Sequence, residues 1–379
     1  MYSVVLCAAF ALAAPPAADP KARAAELVAR LGDPEYRDRE KASNELIAIG
    51  YPALDAVRAG QKSPDGEISE RCRRLYPVIW RDALERRVEK LVADPTGPVP
   101  ADLPGAADWL KITGDTKEAR RLYGDTVLAH PEAMLDLATH PDRRAQLYAD
   151  LAREVYGRTN LRPVGAAAAA VRPGATDAEA ALFLFLGAVG PTRTTFAPGT
   201  SSTYYYTVLN SPALASRLAG SAVHRKLYAA WLERERYSLM LRRGIDLAGQ
   251  YGVRECLPVL AKVARDPGTA ITIRTTAILG FGKLGTKDDI KLLEPFLKDE
   301  MLIANVTVNG ERGSVQVRDA ALGAAVQMAG QKLEAFGFER KPPAGIAVVS
   351  YIYFAFGTDE KRAAAHQKWK DWAAANLKK

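Results

Sequence analysis

Apolar residues recur every three or four positions through most of this chain, a spacing that places them on one face of an α-helix. The first such stretch covers residues 21–31 and ends at a Gly-Asp-Pro sequence, which is a common helix stop. The same pattern predicts helices from about 35 to 49 and from about 67 to 92. Only short breaks separate these helices, as in helical hairpins.

An aspartate between two helices and an arginine in the following helix recur along the chain. The pairs are Asp33 with Arg39, Asp65 with Arg71, and Asp266 with Arg274. The first two pairs are six residues apart and the third is eight. Because a single helix pair cannot bury its apolar face alone, recurring pairs stack and leave an extended surface.

Two stretches of the chain resemble HEAT repeats. The residues that carry the likeness are Asp33-Pro34, Arg39, Ala42, Leu46, Gly50, Pro52, Asp65 and Arg71 in the first, and Leu257-Pro258, Asp266-Pro267, Arg274, Leu279-Gly280, Leu284-Gly285 and Val317-Arg318-Asp319 in the second. In that family, the turn aspartate and the helical arginine commonly form a hydrogen-bonded ladder between repeats. The resemblance therefore implies an all-α fold, an α-solenoid of HEAT-like hairpins. Its implied structural ladder comprises Asp33, Arg39, Asp65, Arg71, Asp266, Arg274 and Arg318.

The middle of the chain follows a different pattern. A proline-rich spacer covers residues 95–104, and the Gly, Ala and aromatic spacing from Trp109 to Tyr123 resembles a tetratricopeptide-like helix pair. A segment rich in Thr, Ser, Pro and Gly then predicts a surface loop. The resulting organisation is 1–18 signal peptide, 19–95 N-terminal HEAT-like helices, 96–190 middle helical segment, 191–207 surface loop, 208–330 C-terminal HEAT-like repeats, and 331–379 C-terminal tail and helix.

Strand-like sequence interrupts the helices between Ile303 and Val317. Val306 and Val308 alternate with polar residues before Asn309-Gly310, a dipeptide that favours tight hairpin turns. We therefore expect a small β-hairpin that projects from the helices and offers one edge to a partner, followed by a helix near Arg318. An irregular loop is the alternative, because an isolated hairpin is only marginally stable.

The N-terminal residues predict export. An apolar run precedes Pro15-Pro16, and Ala11 and Ala13 fit a signal-peptide cleavage pattern, although no basic residue precedes the run. The run is too short to span a membrane comfortably. We expect a periplasmic or envelope protein without stable membrane insertion after signal cleavage. Cys72 and Cys256 are predicted to be buried single thiols.

The chain has 379 residues, 48% of them apolar and 25% charged, as in ordinary globular proteins. Its net charge of +8 favours acidic partners such as nucleic acid or anionic polymers. However, the basic residues form scattered doublets beside acids, as Arg73-Arg74 does beside Glu70. This arrangement is typical of solvated helix faces.

Neither a cofactor nor a metal site is indicated. Gly280, Gly282 and Gly285 match the dinucleotide-binding pattern G-x-G-x-x-G, but no helix is predicted to open within them; instead Thr286 is expected to cap a later helix. His130 and His140 are each followed by proline, which is typical of helix ends. We find no sequence motif of a catalytic nucleophile, although the residues of a catalytic triad can lie far apart in sequence.

The most distinctive candidate interaction site is an aromatic and basic cluster in the predicted loop. It comprises Arg193, Phe196, Tyr204, Tyr205 and Tyr206. Aromatic residues and arginine commonly anchor protein interfaces. The alternative is that the tyrosines pack into the adjacent helices.

The sequence thus favours a non-catalytic protein-interaction scaffold that binds another protein or peptide. A polyanion or nucleic-acid binder is the alternative, since some HEAT-like DNA glycosylases are basic solenoids. An enzyme resembling HEAT-like bilin lyases is a third class, for which no matching catalytic residue is found.

Overall fold

The computed structural model describes residues 19–160, 174–190, 201–308, 310–340 and 350–377 of the protein. These residues are mostly helical, with one small antiparallel sheet. The internal contacts divide the chain into two compact units, with the division after Asp94. The predicted signal peptide lies outside the described residues.

Unit 1 contains four helices, α1 (Pro20–Arg30), α2 (Tyr36–Ile49), α3 (Leu54–Gly60) and α4 (Gly66–Ala93), with a 3₁₀ turn at Tyr51–Ala53. The predicted helices at 21–31, 35–49 and 67–92 are confirmed within one residue at each end. Their ends follow from local chemistry. The carboxylate of Asp65 accepts hydrogen bonds from the backbone N–H groups of Glu67 and Ile68, which caps the start of α4.

Leucine, valine and alanine fill the core of unit 1. Leu27, Leu46 and Val57 are fully buried and come from three successive helices. Cys72 is a buried free thiol, as predicted, and burial raises its pKa to about 11. Cys256 is likewise buried and free, in unit 2.

Unit 2 begins with helices from the middle segment and continues through the second HEAT-like stretch. Its helices are α5 (Ala106–Thr113), α6 (Lys117–Ala129), α7 (Pro131–Thr139), α8 (Arg144–Asn160), α9 (Asp177–Ala188), α10 (Ser202–Leu209), α11 (Pro212–Gly220), α12 (Ala222–Arg234), α13 (Ser238–Tyr251), α14 (Leu257–Arg265), α15 (Ile271–Leu284), α16 (Val317–Met328) and α17 (Asp359–Asn376). Short 3₁₀ segments lie at Pro141–Arg143, Arg254–Cys256, Lys287–Leu293, Leu333–Phe336 and Tyr351–Phe354.

Aromatic side chains hold the middle helices of unit 2 together. Trp231 of α12 is fully buried, and its indole N–H donates to the Tyr148 hydroxyl of α8 at 2.9 Å. The ring of Tyr148 stacks on Phe183 of α9, with 4.5 Å between centroids. Trp109 ties α5 to α6 by donating to the Ala119 carbonyl at 3.1 Å. Each of the two indole rings fills space, and each has a hydrogen-bond partner for its buried N–H.

The predicted hairpin is confirmed. Strands β1 (Leu302–Val308) and β2 (Glu311–Gln316) pair antiparallel, with Leu302 opposite Gln316 and a register irregularity next to it. The hairpin does not project freely, because Val308 and Val315 are buried. The outer edge of β2 is also covered at one point, where Ser314 and Phe356 exchange backbone hydrogen bonds of 3.1 Å.

The predicted surface loop at 191–207 is wrong in its last part. Residues 202–207 belong to α10, whose start is capped by the Ser201 hydroxyl accepting from the Thr203 N–H. The Ser and Thr residues from 201 to 207 are therefore helix-capping and helical sequence. Residues 191–200 lie outside the described residues.

A buried ion pair joins α17 to the hairpin and to α16. The Arg362 side chain is 2% exposed and the Asp319 side chain is fully buried. Arg362 Nε donates to both carboxylate oxygens of Asp319 at 3.0 Å, and Nη2 donates to the Ser314 hydroxyl at 2.8 Å. Asp359 binds the remaining guanidinium nitrogen. The pair is thus satisfied on most sides, as a buried charge requires.

Among the described residues, no helix is both long enough and apolar enough to cross a membrane.

We expect Arg362→Met to lower the free energy of unfolding by about 3–5 kcal/mol, because Asp319 would remain as an uncompensated buried carboxylate. Urea unfolding followed by circular dichroism measures this change. The double variant with Asp319→Leu should recover much of the loss, since it removes the orphaned charge.

Lys361→Met is the matched control for this prediction. Lys361 neighbours Arg362 and pairs with Glu339 at 2.6 Å, but its side chain is 53% exposed. We expect that control to change the free energy of unfolding by about 0–1 kcal/mol. Equal losses in the two single variants would show that burial does not set the strength of the Arg362 pair.

Candidate functional site

The aspartates of the predicted ladder accept hydrogen bonds from nearby backbone N–H groups rather than from the arginines six or eight residues later. Asp33 accepts from the backbone N–H of Glu35 at 2.9 Å, and Asp65 caps α4. Arg39 instead donates to the backbone carbonyls of Asp33 and Pro34 at 2.7 and 2.9 Å. The six-residue offset therefore brings Arg39 back to its own turn, but to the backbone, whereas Arg71 donates to the side chains of Glu67 and Glu40.

Glutamates supply the link between helices in unit 1. Glu67 Oε1 lies 2.6 Å from Arg71 Nε and 3.3 Å from Arg39 Nε, so one carboxylate joins α2 and α4. Arg71 also pairs with Glu40 of α2 at 2.8 Å. These contacts form a charged ladder through residues that the sequence analysis did not select. The side chains of both arginines are less than one-fifth exposed, which favours a structural role over ligand contact.

The second stretch follows the same rule. Asp266 accepts from the Gly268 N–H at 2.9 Å, while Arg274 donates to the Ala264 carbonyl at 2.8 Å and approaches Asp299 at 3.3 Å. Arg318 pairs with Glu300 at 2.6 Å. The two arginines therefore meet adjacent acidic residues at 299 and 300 and stabilise the turn before β1.

The glycine pattern at residues 280–285 belongs to a packed helix end. Gly280 and Gly282 lie within α15, so the β-branched run before them is helical and not a strand. A Cβ atom on Gly280 would lie 2.8 Å from the Leu260 side chain, and one on Gly282 would lie 2.6 Å from Gln327. Close helix packing thus accounts for these glycines. Thr286 caps the following segment as expected, although that segment is a 3₁₀ helix.

Most of the aromatic candidates are incorporated into helix packing. Tyr205 is buried, with its ring 5.0 Å from that of Tyr148. Tyr204 packs at 4.8 Å from Tyr156, and the Tyr206 hydroxyl donates to the Leu239 carbonyl at 3.3 Å. The alternative interpretation, packing into adjacent helices, describes these three tyrosines. Arg193 and Phe196 lie outside the described residues.

A polar network around the buried residues Ser221 and His224 joins four helices of unit 2. The Ser221 hydroxyl, at the start of α12, donates to Glu118 of α6 at 2.7 Å and lies 3.0 Å from Nδ1 of His224. Nε2 of His224 lies 3.1 Å from Asp177 of α9, which also accepts from Arg217 of α11 at 2.9 Å.

This network resembles a catalytic triad only in its residue types. Ser221 is also the N-cap of α12, and its single hydroxyl proton is donated to Glu118, so His224 is not arranged to accept that proton as the base of a triad. Both Ser221 and His224 are buried, which keeps a substrate away from them. Burial lowers the pKa of His224, against the opposing effect of Asp177. The network is therefore better suited to fixing helices than to catalysis.

Two other histidines lie at helix ends, as the His-Pro dipeptides predict. His130 lies between α6 and α7, and His140 ends α7. Burial lowers the pKa of His130.

Unit 2 also contains a surface cleft of about 480 Å³. Its walls come from α5, from the C-terminal end of α9, from the C-terminal half of α12 and from the start of α14, with Arg144 of α8 at one side. This volume lies within the range of about 300–1,000 Å³ that is usual for ligand pockets. The floor combines apolar side chains, namely Ile112, Ala188, Val189, Ala229, Ala230, Pro258 and Val259.

Charged side chains surround this apolar floor. Three cations line the cleft, Lys111, Arg144 and Arg234, and none of them forms an ion pair with any described residue. Two of the three acids are neutralised from outside the cleft, since Glu233 pairs with Lys262 at 3.1 Å and Glu255 pairs with Arg225 at 2.9 Å.

Sequence reasoning missed both the network and the cleft. Members of the network lie up to 103 residues apart in the chain, and the residues of the cleft extend from Asp108 to Val259. Only the helix packing brings them together. The one local signal was Ser221 three residues before His224, which fits a helix start with a buried cap.

Comparison with protein-family models, with curated proteins and with solved structures found no match to this chain.

Replacing Arg39 by alanine should lower the free energy of unfolding of the protein by about 1–3 kcal/mol, because two turn carbonyls would lose their donor. The matched control is Arg37→Ala, which removes an exposed arginine of the same helix and should have little effect. Urea unfolding measures both. If Arg39→Ala left stability unchanged and instead abolished partner binding, the structural role would be wrong.

His224 should make the protein less stable in acid. Because burial lowers its folded pKa, the unfolded chain binds the proton more readily as the pH falls below about 6.5, the usual histidine value. Stability is therefore expected to fall between about pH 7.5 and pH 5.5, and less steeply in His224→Gln. The pH dependence of stability that remains in the variant includes the contribution of His130, whose pKa burial also lowers. An identical slope in the variant and the wild type, measured by urea unfolding, would contradict this assignment.

Proposed function

We propose that this protein is a non-catalytic interaction module that binds a partner protein through the cleft of unit 2. The observation that supports the proposal is the combination of an apolar floor with three surrounding cations that form no ion pair with the described part of the chain. Apolar area provides binding free energy, while charges at the rim select the partner and its orientation. The buried network at Ser221 and the ladder of Arg39 and Arg71 serve the scaffold.

The distribution of charge favours a protein partner over a polyanion. Two of the exposed arginine doublets carry ion pairs within their own helix. Arg73 and Arg74 both contact Glu70 at 2.9 Å, and Arg86 contacts Asp82 at 3.0 Å. A continuous phosphate-binding track needs unpaired cations along one face. In the doublets these cations are already partly neutralised.

The proposal extends to architecture and location. The helical hairpins of unit 1 and the helices from α13 to α16 are compatible with a HEAT-like solenoid, and the apolar N-terminal run with its Ala-x-Ala pattern supports export to the periplasm or envelope. An exported scaffold of this kind would act by shape and charge complementarity, without a covalent step.

Site-specific photo-crosslinking tests the proposed function. Ile112, half-buried in the cleft wall, is replaced by p-benzoylphenylalanine, and the protein is irradiated in the cells that produce it. We expect a cross-link to one or a few discrete proteins. The matched control is the same replacement at Leu302, an exposed apolar residue on β1 that does not line the cleft. Equal background labelling at both positions would contradict the proposal.

A further inference from the structure

We propose that the cleft of unit 2 recognises an acidic peptide segment of the partner, in which carboxylates flank apolar side chains. This inference rests on the proposed function and specifies the chemistry of its ligand. It follows from the charges that the fold leaves unpaired, from the apolar floor between them and from one buried donor.

The charge balance of the cleft is positive once the ion pairs are counted. Glu233 and Glu255 are neutralised by Lys262 and Arg225, which do not line the cleft. Of the lining residues, Asp108 then remains as the one unpaired carboxylate, against three unpaired cations. The excess of two positive charges favours a ligand that carries more than one carboxylate.

The three cations are at the ends of three different helices. Lys111 lies in the last turn of α5, Arg144 is the first residue of α8, and Arg234 is the last residue of α12. Apolar residues of α9, α12 and α14 lie in the same cleft. A ligand that contacts several of these cations therefore also covers apolar surface. An acidic peptide with interspersed apolar residues meets both requirements.

Arg144 contributes a donor that the fold leaves unsatisfied. Its Nε is shielded from solvent and has no hydrogen-bond partner among the described residues. A buried donor without a partner is unfavourable, so Arg144 retains hydrogen-bonding capacity that no described residue uses. A carboxylate is the side chain best matched to a guanidinium, because it can accept two parallel hydrogen bonds.

The acid that is not neutralised disfavours a nucleic acid as the ligand. Asp108 lines the cleft without an ion pair to any described residue, and its carboxylate would lie close to a phosphate backbone. A peptide can place an apolar or basic residue next to Asp108, which a chain of regularly spaced phosphates cannot do. The occupant that fits is therefore a peptide with acidic residues at selected positions.

Fluorescence anisotropy of the full chain tests the inference. The probe is a short fluorescein-labelled peptide that alternates glutamate with leucine, and the control peptide has glutamine in place of glutamate. We expect the acidic peptide to bind, its affinity to fall with added salt, and the glutamine peptide to bind more weakly. A single-stranded oligonucleotide and glutarate are the competing probes. Tighter binding of either than of the acidic peptide would overturn the inference.

Charge-reversal variants locate the binding site. Lys111→Glu and Arg234→Glu should each weaken binding of the acidic peptide by about 3- to 10-fold, because an attraction becomes a repulsion. Arg265→Glu is the matched control for Arg234→Glu, since Arg265 is also exposed and is also the last residue of its helix, α14, but does not line the cleft. Lys298→Glu is the control for Lys111→Glu, since Lys298 is also an exposed lysine and does not line the cleft. Equal weakening by the control variants would overturn the inference.

The outcomes also separate this inference from the proposed function. If Ile112 cross-links a partner while Lys111→Glu and Arg234→Glu bind the acidic peptide like the wild type, the ligand class is wrong and the interaction module stands. If the charge-reversal variants weaken binding of the acidic peptide as expected but Ile112 cross-links no partner, the inferred ligand class is supported and the proposed scaffold function is wrong.

Discussion

The satisfaction of backbone groups at helix ends is the constraint on which this structure most depends. Each helix leaves its first N–H groups and its last carbonyls without internal partners, and a chain of many short helices has many such ends. Side-chain oxygens cap the starts, as Thr116 does for α6 and Thr358 for α17. Basic side chains donate hydrogen bonds to carbonyl groups at the C-terminal ends of several helices, and these side chains commonly come from another helix.

These basic donors explain how the helices are held together. Arg274 of α15 donates to the Ala264 carbonyl near the end of α14, Lys226 of α12 donates to the Thr113 carbonyl that ends α5, and Arg254 donates to the Leu284 carbonyl that ends α15. One hydrogen bond therefore completes a helix end and fixes the position of its neighbour. The cations of the cleft differ, because Lys111, Arg144 and Arg234 are also at helix ends but have no ion-pair partner among the described residues.

Local chemistry made much of the fold predictable. The Gly-Asp-Pro break after α1, Gly50 after α2 and the valines around Asn309-Gly310 act within a few residues, so they specify the helix bounds and the hairpin. The partners of Arg39 and Arg71 were not predictable, because an arginine can reach several acceptors within one turn and the choice depends on packing. The helix at Ser202–Leu209 was missed since Ser201 acts as a cap, a role that its Thr- and Ser-rich surroundings conceal.

Helix α12 connects the buried network with the cleft. Ser221 and His224 hold its first turn. Further along the helix, the Tyr228 hydroxyl donates to the Gly244 carbonyl at 2.8 Å, and Trp231 donates to the Tyr148 hydroxyl. Its last turns line the cleft with Ala229, Ala230, Glu233 and Arg234. A helix that is fixed by this many contacts would lose little conformational entropy on ligand binding, which would lower the entropic cost of binding. In the proposed function, the polar residues that have the composition of a catalytic triad would therefore contribute to recognition indirectly, by holding this wall of the cleft in place.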